Sequence, residues 1–309
     1  MEFKHISVLL NECIEALDIK ENGIYIDGTL GGAGHSLEIL KKLNNGTLIG
    51  IDRDEEALLV AQQKLKEAEK NNNVILVHNV HEHIPTILDA LEISKVDGVL
   101  LDLGMSSYQI DNVERGFSYM HDAPLDMRMD QQSDITAKYI LNNYSKEKLV
   151  KILKEYGEEK FAVPIVNKIL DVRKNKEIKT TFELNDIIDS VKPFSKKGHK
   201  SKQVFQALRI EVNNELVFLK EAIIQIGKRL KPNGRFAIIT FHSLEDKIVK
   251  EAFKELVGKC TCPPDLPICI CNNVSYGKLV NSKPILPTEE EFNRNSRAKS
   301  AKLRIFQAK

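Results

Sequence analysis

Residues 27–35 read Asp-Gly-Thr-Leu-Gly-Gly-Ala-Gly-His and follow the apolar run Gly23-Ile24-Tyr25-Ile26. Gly28, Gly31, Gly32 and Gly34 crowd the exit of a short strand. Glycine admits positive φ and lets backbone approach a ligand closely. Leu37, Leu40 and Leu43 then recur at spacings of three. Strand, glycine turn and helix form the opening unit of a nucleotide-binding α/β sheet.

The details of the turn bear on the ligand. A dinucleotide site needs G-x-G-x-x-G to seat a pyrophosphate on the helix N-terminus. Here Gly32-Ala33-Gly34 would require a third glycine at 37, which is Leu37. Asp27 also sets a carboxylate where a pyrophosphate would meet like charge. S-adenosylmethionine, with an ammonium and a sulfonium, suits that acid better. The turn therefore favours S-adenosylmethionine as the ligand. A nicotinamide oxidoreductase and a non-catalytic RNA-binding protein on the same fold are the competing readings.

The rest of the chain fits an α/β protein with an insertion. Strands are expected at Ile24–Asp27, Gly46–Ile51, Val74–Val77 and Val96–Leu101, alternating with helices near 35–43, 57–65 and 83–91. Such alternation predicts a parallel sheet covered by helices on both faces. Residues 103–133 read as loop. Helical spacing resumes at Ala137–Leu141, Leu149–Tyr156, Phe161–Leu170 and Leu184–Val191. One long helix is expected from Gln203 through Ile223, before a turn at Pro232-Asn233-Gly234 and a fifth strand at Arg235–Phe241. Ser243-Leu244-Glu245-Asp246 opens another helix like a capping box. The domain division expected is 1–113 with 201–309 for the sheet domain, and 114–200 for a helical, substrate-recognising insertion.

Composition sets the outer bounds. In 309 residues, 42% are hydrophobic and 29% charged, as in ordinary globular proteins. Apolar runs are too short to span a bilayer. Asn11, Glu12 and Glu15 interrupt any signal-peptide core near the N-terminus, so a cytoplasmic protein is expected. The net charge of +1 implies no broad field for polyanions, which leaves local clusters. Residues 192–202 carry Lys192, Lys196, Lys197, His199, Lys200 and Lys202. Residues 293–309 carry Arg294, Arg297, Lys299, Lys302, Arg304 and Lys309. Neither run contains an acid, and each is either an RNA contact or a solvated surface. Cys260, Cys262, Cys269 and Cys271 form two C-x-C pairs. Structural zinc sites usually space each pair by two to four residues, so a proline-stiffened loop of unligated thiols is favoured and no metal is assigned.

Ligands of open α/β sheets bind beyond the carboxyl ends of the strands. Asp27, Asp52 and Asp102 all stand there. Asp52 follows Gly34 at close to the spacing of a ribose-binding acid. Asp102 can accept from the adenine amine or from the substrate, with a helix cap as the other role. His35 opens the first helix as a ligand contact or a packing residue. His242, at the end of the fifth strand, is a general base, a substrate contact or a structural histidine. Ser106, Ser107 and Gln109 can hydrogen-bond a polar base or simply turn the chain.

Several further motifs carry a family resemblance. They are His5-Ile6-Ser7-Val8-Leu9-Leu10, Asp27–Ser36, Ile51-Asp52-Arg53-Asp54 and Leu101-Asp102-Leu103-Gly104-Met105-Ser106-Ser107. Arg115-Gly116-Phe117-Ser118, Pro124-Leu125-Asp126-Met127-Arg128-Met129, Phe205–Asn213 and Phe241–Asp246 complete the set. In order and spacing the chain resembles the bacterial small-subunit (16S) rRNA cytosine-N4 methyltransferases, the RsmH or MraW family, over nearly its whole length. The resemblance implies a Rossmann-like class I methyltransferase sheet with an inserted helical domain. It implies methylation of the N4 amine of a cytosine in the decoding region of 16S rRNA, with the small ribosomal subunit as partner. Cofactor positions fall on Ala33, Gly34, His35, Asp52, His81, Asp102 and Gln109, beside Asp27 and Gly31 of the turn. His81 stands where an aromatic such as phenylalanine is common, Ala123 where glycine is usual, and Ser296 and Lys299 where proline and arginine are usual. Asp102, Asp126 and His242 are the candidate catalytic residues. Arg115, Arg128, Arg209, Lys196, Lys197, Lys200, Arg297 and Lys299 are the candidate RNA contacts.

Overall fold

A computed structural model describes residues 7–193, 199–258 and 274–309. Lys196 and Lys197 lie outside these residues, as do the four paired cysteines. The described chain divides into two compact units, Met1–Gly104 with Leu216–Lys309, and Met105–Glu215.

The first unit is built on a seven-stranded sheet. In chain order its strands are β1 (Ile24–Asp27), β2 (Thr47–Asp52), β3 (Asn73–His78), β4 (Val96–Asp102), β5 (Leu230–Thr240), β6 (Gly277–Leu279) and β7 (Lys302–Ala308). They lie in the order β3-β2-β1-β4-β5-β7-β6. β1 to β5 pair in parallel, while β7 runs antiparallel to both β5 and β6. Strand order reverses between β1 and β4, which opens a crevice at their carboxyl ends.

Side-chain alternation explains why both faces are covered. Ile26, Ile49, Val99, Leu101, Phe236 and Ile238 face one core, shared with the helices Leu219–Lys228 and Ser243–Val257. Tyr25, Leu48, Leu100, Ala237 and Ile239 face the other, against the helices Leu10–Leu17, Gly34–Lys42 and Glu55–Lys66. Successive strand residues point to opposite faces, so a strand buried on both sides must be apolar throughout. Burial of these side chains removes the apolar surface that drives folding. No described helix is long and apolar enough to cross a membrane.

The second unit has its own core. Leu141, Ile152, Leu153, Ile165, Ile169, Leu184 and Ile188 pack together with Phe205, Leu208 and Val212. Its helices Ala137–Asn143, Lys146–Glu155, Ala162–Arg173 and Thr181–Val191 match the sequence periodicity closely. Its boundaries, however, are wider than 114–200. The helix Lys202–Asn213 buries Val204, Phe205, Ala207, Leu208 and Val212 in this core and so belongs to it.

The single long helix expected from Gln203 to Ile223 is two helices. Asn214 adopts φ 51°, ψ 34°, and caps the first of them. Asparagine tolerates this left-handed conformation better than most residues. Its neighbour Asn213 explains why the break is placed there. The Asn213 amide donates to the Met127 carbonyl at 2.8 Å and accepts from the Met129 amide at 2.7 Å. It thereby fixes the Pro124–Met129 loop to the helix end. Asn213→Ala leaves two loop groups unpaired, so the helical unit should lose about 1–3 kcal/mol of stability. Denaturant unfolding checks this, and affinity for S-adenosylhomocysteine should stay at the wild-type value.

Candidate active site

The glycine turn is shaped by backbone approach. Gly28 donates its amide to the Leu100 carbonyl at 2.9 Å, so the turn is stitched to β4. A Cβ on Gly28 would sit 2.4 Å from Leu101 Cδ2, which a side chain never tolerates. Gly31 has φ +46°, and Ala33 is left-handed at φ 55°. Ala33 pays strain that glycine would avoid. Its methyl is fully buried, which leaves its backbone as the part able to meet a ligand.

Three carboxylates gather at this edge, as their strand-end positions require. Asp27 is buried, accepting from Ser36 Oγ at 2.7 Å and from the Thr29 amide at 3.3 Å. Asp52 accepts from the Gly31 amide at 2.7 Å and from the Asp54 amide at 2.9 Å. Its carboxylate therefore ties the glycine turn to the end of β2. Asp102 is held by its own amide, which donates to Thr29 Oγ1 at 2.6 Å. Its Oδ1 is buried with no hydrogen-bond partner among the described residues.

Burial raises the pKa of all three acids. Asp27 and Asp52 are each pushed to about 6, against partial relief from their hydrogen bonds. Asp102 is raised well above the usual range by burial, with Asp27 and Glu245 adding like charge. The histidines move the opposite way. Burial lowers His35 to about 4 and also lowers His81. Both rings are therefore neutral at physiological pH.

The residues expected to touch the cofactor separate into groups. Asp27, Gly31, Ala33, Gly34, Asp52 and Asp102 belong to the glycine turn and the ends of β1, β2 and β4. His81 joins them, because its Cβ lies 3.3 Å from where a Gly28 side chain would begin. Its Nε2 is buried without a partner. His35 is buried and bonds through Nε2 to the Val8 carbonyl at 3.0 Å. Gln109 belongs to the other unit, where it closes a capping box with Ser106.

His242 stands two residues beyond the end of β5. It, rather than Ser243, is the N-cap of the helix Ser243–Val257. Its Nδ1 accepts from the Glu245 amide at 3.4 Å. Glu245 completes the box by accepting from the Phe241 and His242 amides at 2.8 and 3.3 Å. His242 Nε2 lies 3.0 Å from Glu245 Oε1, off the direction of a hydrogen bond. The ring is a helix cap with Nδ1 already committed as acceptor. The capping pair is offset by one residue from Ser243/Asp246, since histidine is a rare cap.

Asp126, in the helical unit, is likewise committed. Arg128 grips both its oxygens, Nε to Oδ1 at 2.8 Å and Nη2 to Oδ2 at 2.7 Å. Arg128 Nη1 donates to the Gln131 and Ser133 carbonyls. Arg115 is buried, with Nη2 on the Arg128 and Met129 carbonyls at 3.0 Å each. Arg209 pairs with both oxygens of Glu215 at 2.8 and 2.9 Å. These three arginines hold their own unit together. Each guanidinium is bonded within its own unit. Lys200 is partly buried and pairs with Asp189 at 3.2 Å. Arg297 and Lys299 are exposed on the turn Ser296–Ser300.

Sequence reasoning missed four supporting groups: Thr29, Ser36, Lys64 and Glu245. Lys64 Nζ donates to the Gly32 carbonyl at 2.8 Å. Thr29 and Ser36 lie within the glycine motif, and their hydroxyls were the available signal.

The MraW methylase family matches residues 2–309. The chain belongs to that family. The protein called ribosomal RNA small subunit methyltransferase H of Clostridium botulinum (strain 657 / Type Ba4) is 55% identical over 308 residues, 99% of each chain. Proteins of the same name from Lachnospira eligens and Finegoldia magna are 52% identical over 311 residues and 51% over 309. Each alignment covers 99% of this chain and 98% of the relative.

S-adenosylmethionine is the methyl donor of this MraW-family methylase, and the residues present fit it. The unpartnered Asp102 Oδ1 and His81 Nε2 are polar atoms that a bound ligand can satisfy. The three acids favour a cationic group.

Two outcomes follow for cofactor binding. Asp52→Ala should weaken S-adenosylmethionine by about 1.5–3 kcal/mol, the scale of hydrogen bonds to a charged group. An unchanged dissociation constant would remove Asp52 from the ribose. The raised acids also set a pH dependence. Asp27 and Asp52 have folded pKa values above their unfolded ones, so the folded chain takes up protons between about pH 4 and 6. These two acids therefore cost no stability below that window, and the cost of ionising them is fully felt above it. A cation favours the ionised form, so affinity should fall as pH drops from 7 to 5, with proton release on binding near pH 6. Calorimetry in buffers of different ionisation enthalpy measures both.

Proposed function

We propose that this protein methylates the exocyclic N4 amine of a cytosine in the decoding region of small-subunit rRNA, in the cytoplasm. The relatives' printed name supports the RNA class at 51–55% identity. The family motifs quoted above support the base and the atom. The observation that carries the chemistry is the buried Asp102 Oδ1, which has no hydrogen-bond partner among the described residues.

When bound, S-adenosylmethionine supplies a methyl group on a sulfonium, already activated for transfer. The protein's share is alignment and the handling of one proton. The cytosine amine is a weak nucleophile, because its lone pair is delocalised into the ring. As the new N–C bond forms, the nitrogen must lose a proton. Asp102 can accept from the amine and hold its lone pair toward the methyl group. Asp126 and His242 are less suited, since Arg128 and the helix start occupy their acceptor atoms. The target base must be unpaired or flipped to reach such a site.

A cofactor role for Asp102, accepting from the adenine amine, is the second reading. The same unpartnered oxygen favours it, and one variant separates the two. Asp102→Asn keeps the size and removes the charge. If the carboxylate orients the amine, single-turnover methyl transfer to small-subunit RNA should fall about a hundredfold or more. Affinity for S-adenosylhomocysteine should then change little. Affinity that collapses along with transfer assigns Asp102 to the adenine instead.

RNA contact is proposed at the exposed turn that carries Arg297 and Lys299. Arg297→Ala with Lys299→Ala should lower RNA affinity and reduce its log–log salt slope by about 1.4, the counterion release of two single-strand contacts. Wild-type affinity and slope would leave this turn a solvated surface.

A further inference from the structure

Ser7, Val8 and Leu9 lie against the start of the helix Gly34–Lys42, and each is held by a separate contact. Ser7 Oγ fills the space beside Gly34, 2.0 Å from where a Cβ would be. His35 Nε2 lies 3.0 Å from the Val8 carbonyl in a buried contact. A carbonyl only accepts, so this nitrogen carries the ring proton. The Leu9 amide donates to Glu291 Oε1 at 2.6 Å, also buried, across 282 residues of sequence.

The His35 tautomer has a consequence. With Nε2 protonated and the ring neutral, Nδ1 presents a lone pair. It lies 3.9 Å from Asp102 Oδ2. The imidazole therefore stands between the Ser7–Leu9 segment and the acid whose other oxygen is unpartnered. Glu291 anchors the far side of the segment. It is buried, and its own amide donates to Thr288 Oγ1 at 3.1 Å. Leu9 caps the helix Leu10–Leu17 in the left-handed region at φ 51°, without a side-chain cap of its own. Leucine adopts that conformation at a cost, and the bond to Glu291 helps fix it. A carboxylate at a helix start is also favoured by the helix dipole.

We propose that Glu291 and His35 are positioning residues that clamp Ser7–Leu9 onto the glycine turn and so set the residence time of S-adenosylmethionine. Neither need touch the cofactor. His35 acts from within the turn, and Glu291 acts through the Leu9 backbone. The inference rests on the glycine turn being the cofactor site.

The test uses the full chain with Glu291→Ala, Glu291→Gln and His35→Ala. Dissociation of S-adenosylhomocysteine is followed by stopped-flow, and steady-state methyl transfer separates KM from kcat. Loss of one buried hydrogen bond corresponds to about a tenfold change. Glu291→Ala should release S-adenosylhomocysteine about tenfold faster and raise KM for S-adenosylmethionine by a similar factor, while kcat holds. Glu291→Gln keeps an acceptor oxygen and should return both to within about twofold of wild type. His35→Ala should also speed release. Adding Glu291→Ala to it should give less than the product of the single effects, because both act on one segment. Amide exchange at Leu9 should quicken in Glu291→Ala. Wild-type release in Glu291→Ala overturns the proposal, as does a defect in kcat that glutamine fails to rescue. If Glu291→Ala does not fold, Glu291→Gln and His35→Ala decide. Wild-type release in His35→Ala then overturns it. If S-adenosylhomocysteine does not bind the wild-type protein at all, the cofactor site itself fails, a result distinct from either.

Discussion

Three acids gathered at one edge of a parallel sheet, Asp27 buried and Asp52 and Asp102 half-buried, are the constraint on which the site depends. An isolated buried carboxylate is costly, and its usual escape is to hold its proton. Asp27 and Asp52 are partly relieved by hydrogen bonds from Ser36, Thr29, Gly31 and Asp54. Asp102 retains one oxygen that no described residue satisfies. The edge is thus arranged for a ligand that brings positive charge and hydrogen-bond donors. The bonds that relieve Asp52 also shape the glycine turn, so the charges and the backbone geometry are one construction.

Charge pairing in the helical unit follows the opposite logic. Arg115, Arg128 and Arg209 look like RNA contacts in a linear reading, yet each is bonded within the unit. The loop around Pro124–Met129 has little regular structure to satisfy its backbone. Arginine, with five donors in a rigid fork, can hold several carbonyls at once. Asn213 closes the same network from the end of its helix. These arginines brace their own unit, while Arg297 and Lys299 are exposed on the turn Ser296–Ser300.

Much of the architecture was legible because burial writes itself into periodicity. Apolar runs at Ile24–Asp27 and Val96–Leu101 marked strands covered on both faces, and the spacing in Leu149–Tyr156 marked an amphipathic helix. The errors came where one residue's backbone state decided the outcome. Asn214 in a left-handed conformation split a helix whose apolar spacing continues across it. The short strand β6 and the full length of β7 depend on antiparallel partners distant in sequence, which no local pattern records.

By itself the sequence determined the glycine turn, the three strand-end acids, the sheet class and the family. Those features are set by residue type at fixed spacing, and spacing survives in one dimension. Tertiary structure alone decided what each polar group is used for. It made His242 a helix cap, bound Asp126 to Arg128, turned His35 toward Val8 and brought Glu291 to Leu9. The reason is physical: a hydrogen bond needs two groups within about 3 Å and correctly aligned. Only the folded chain brings such distant residues that close.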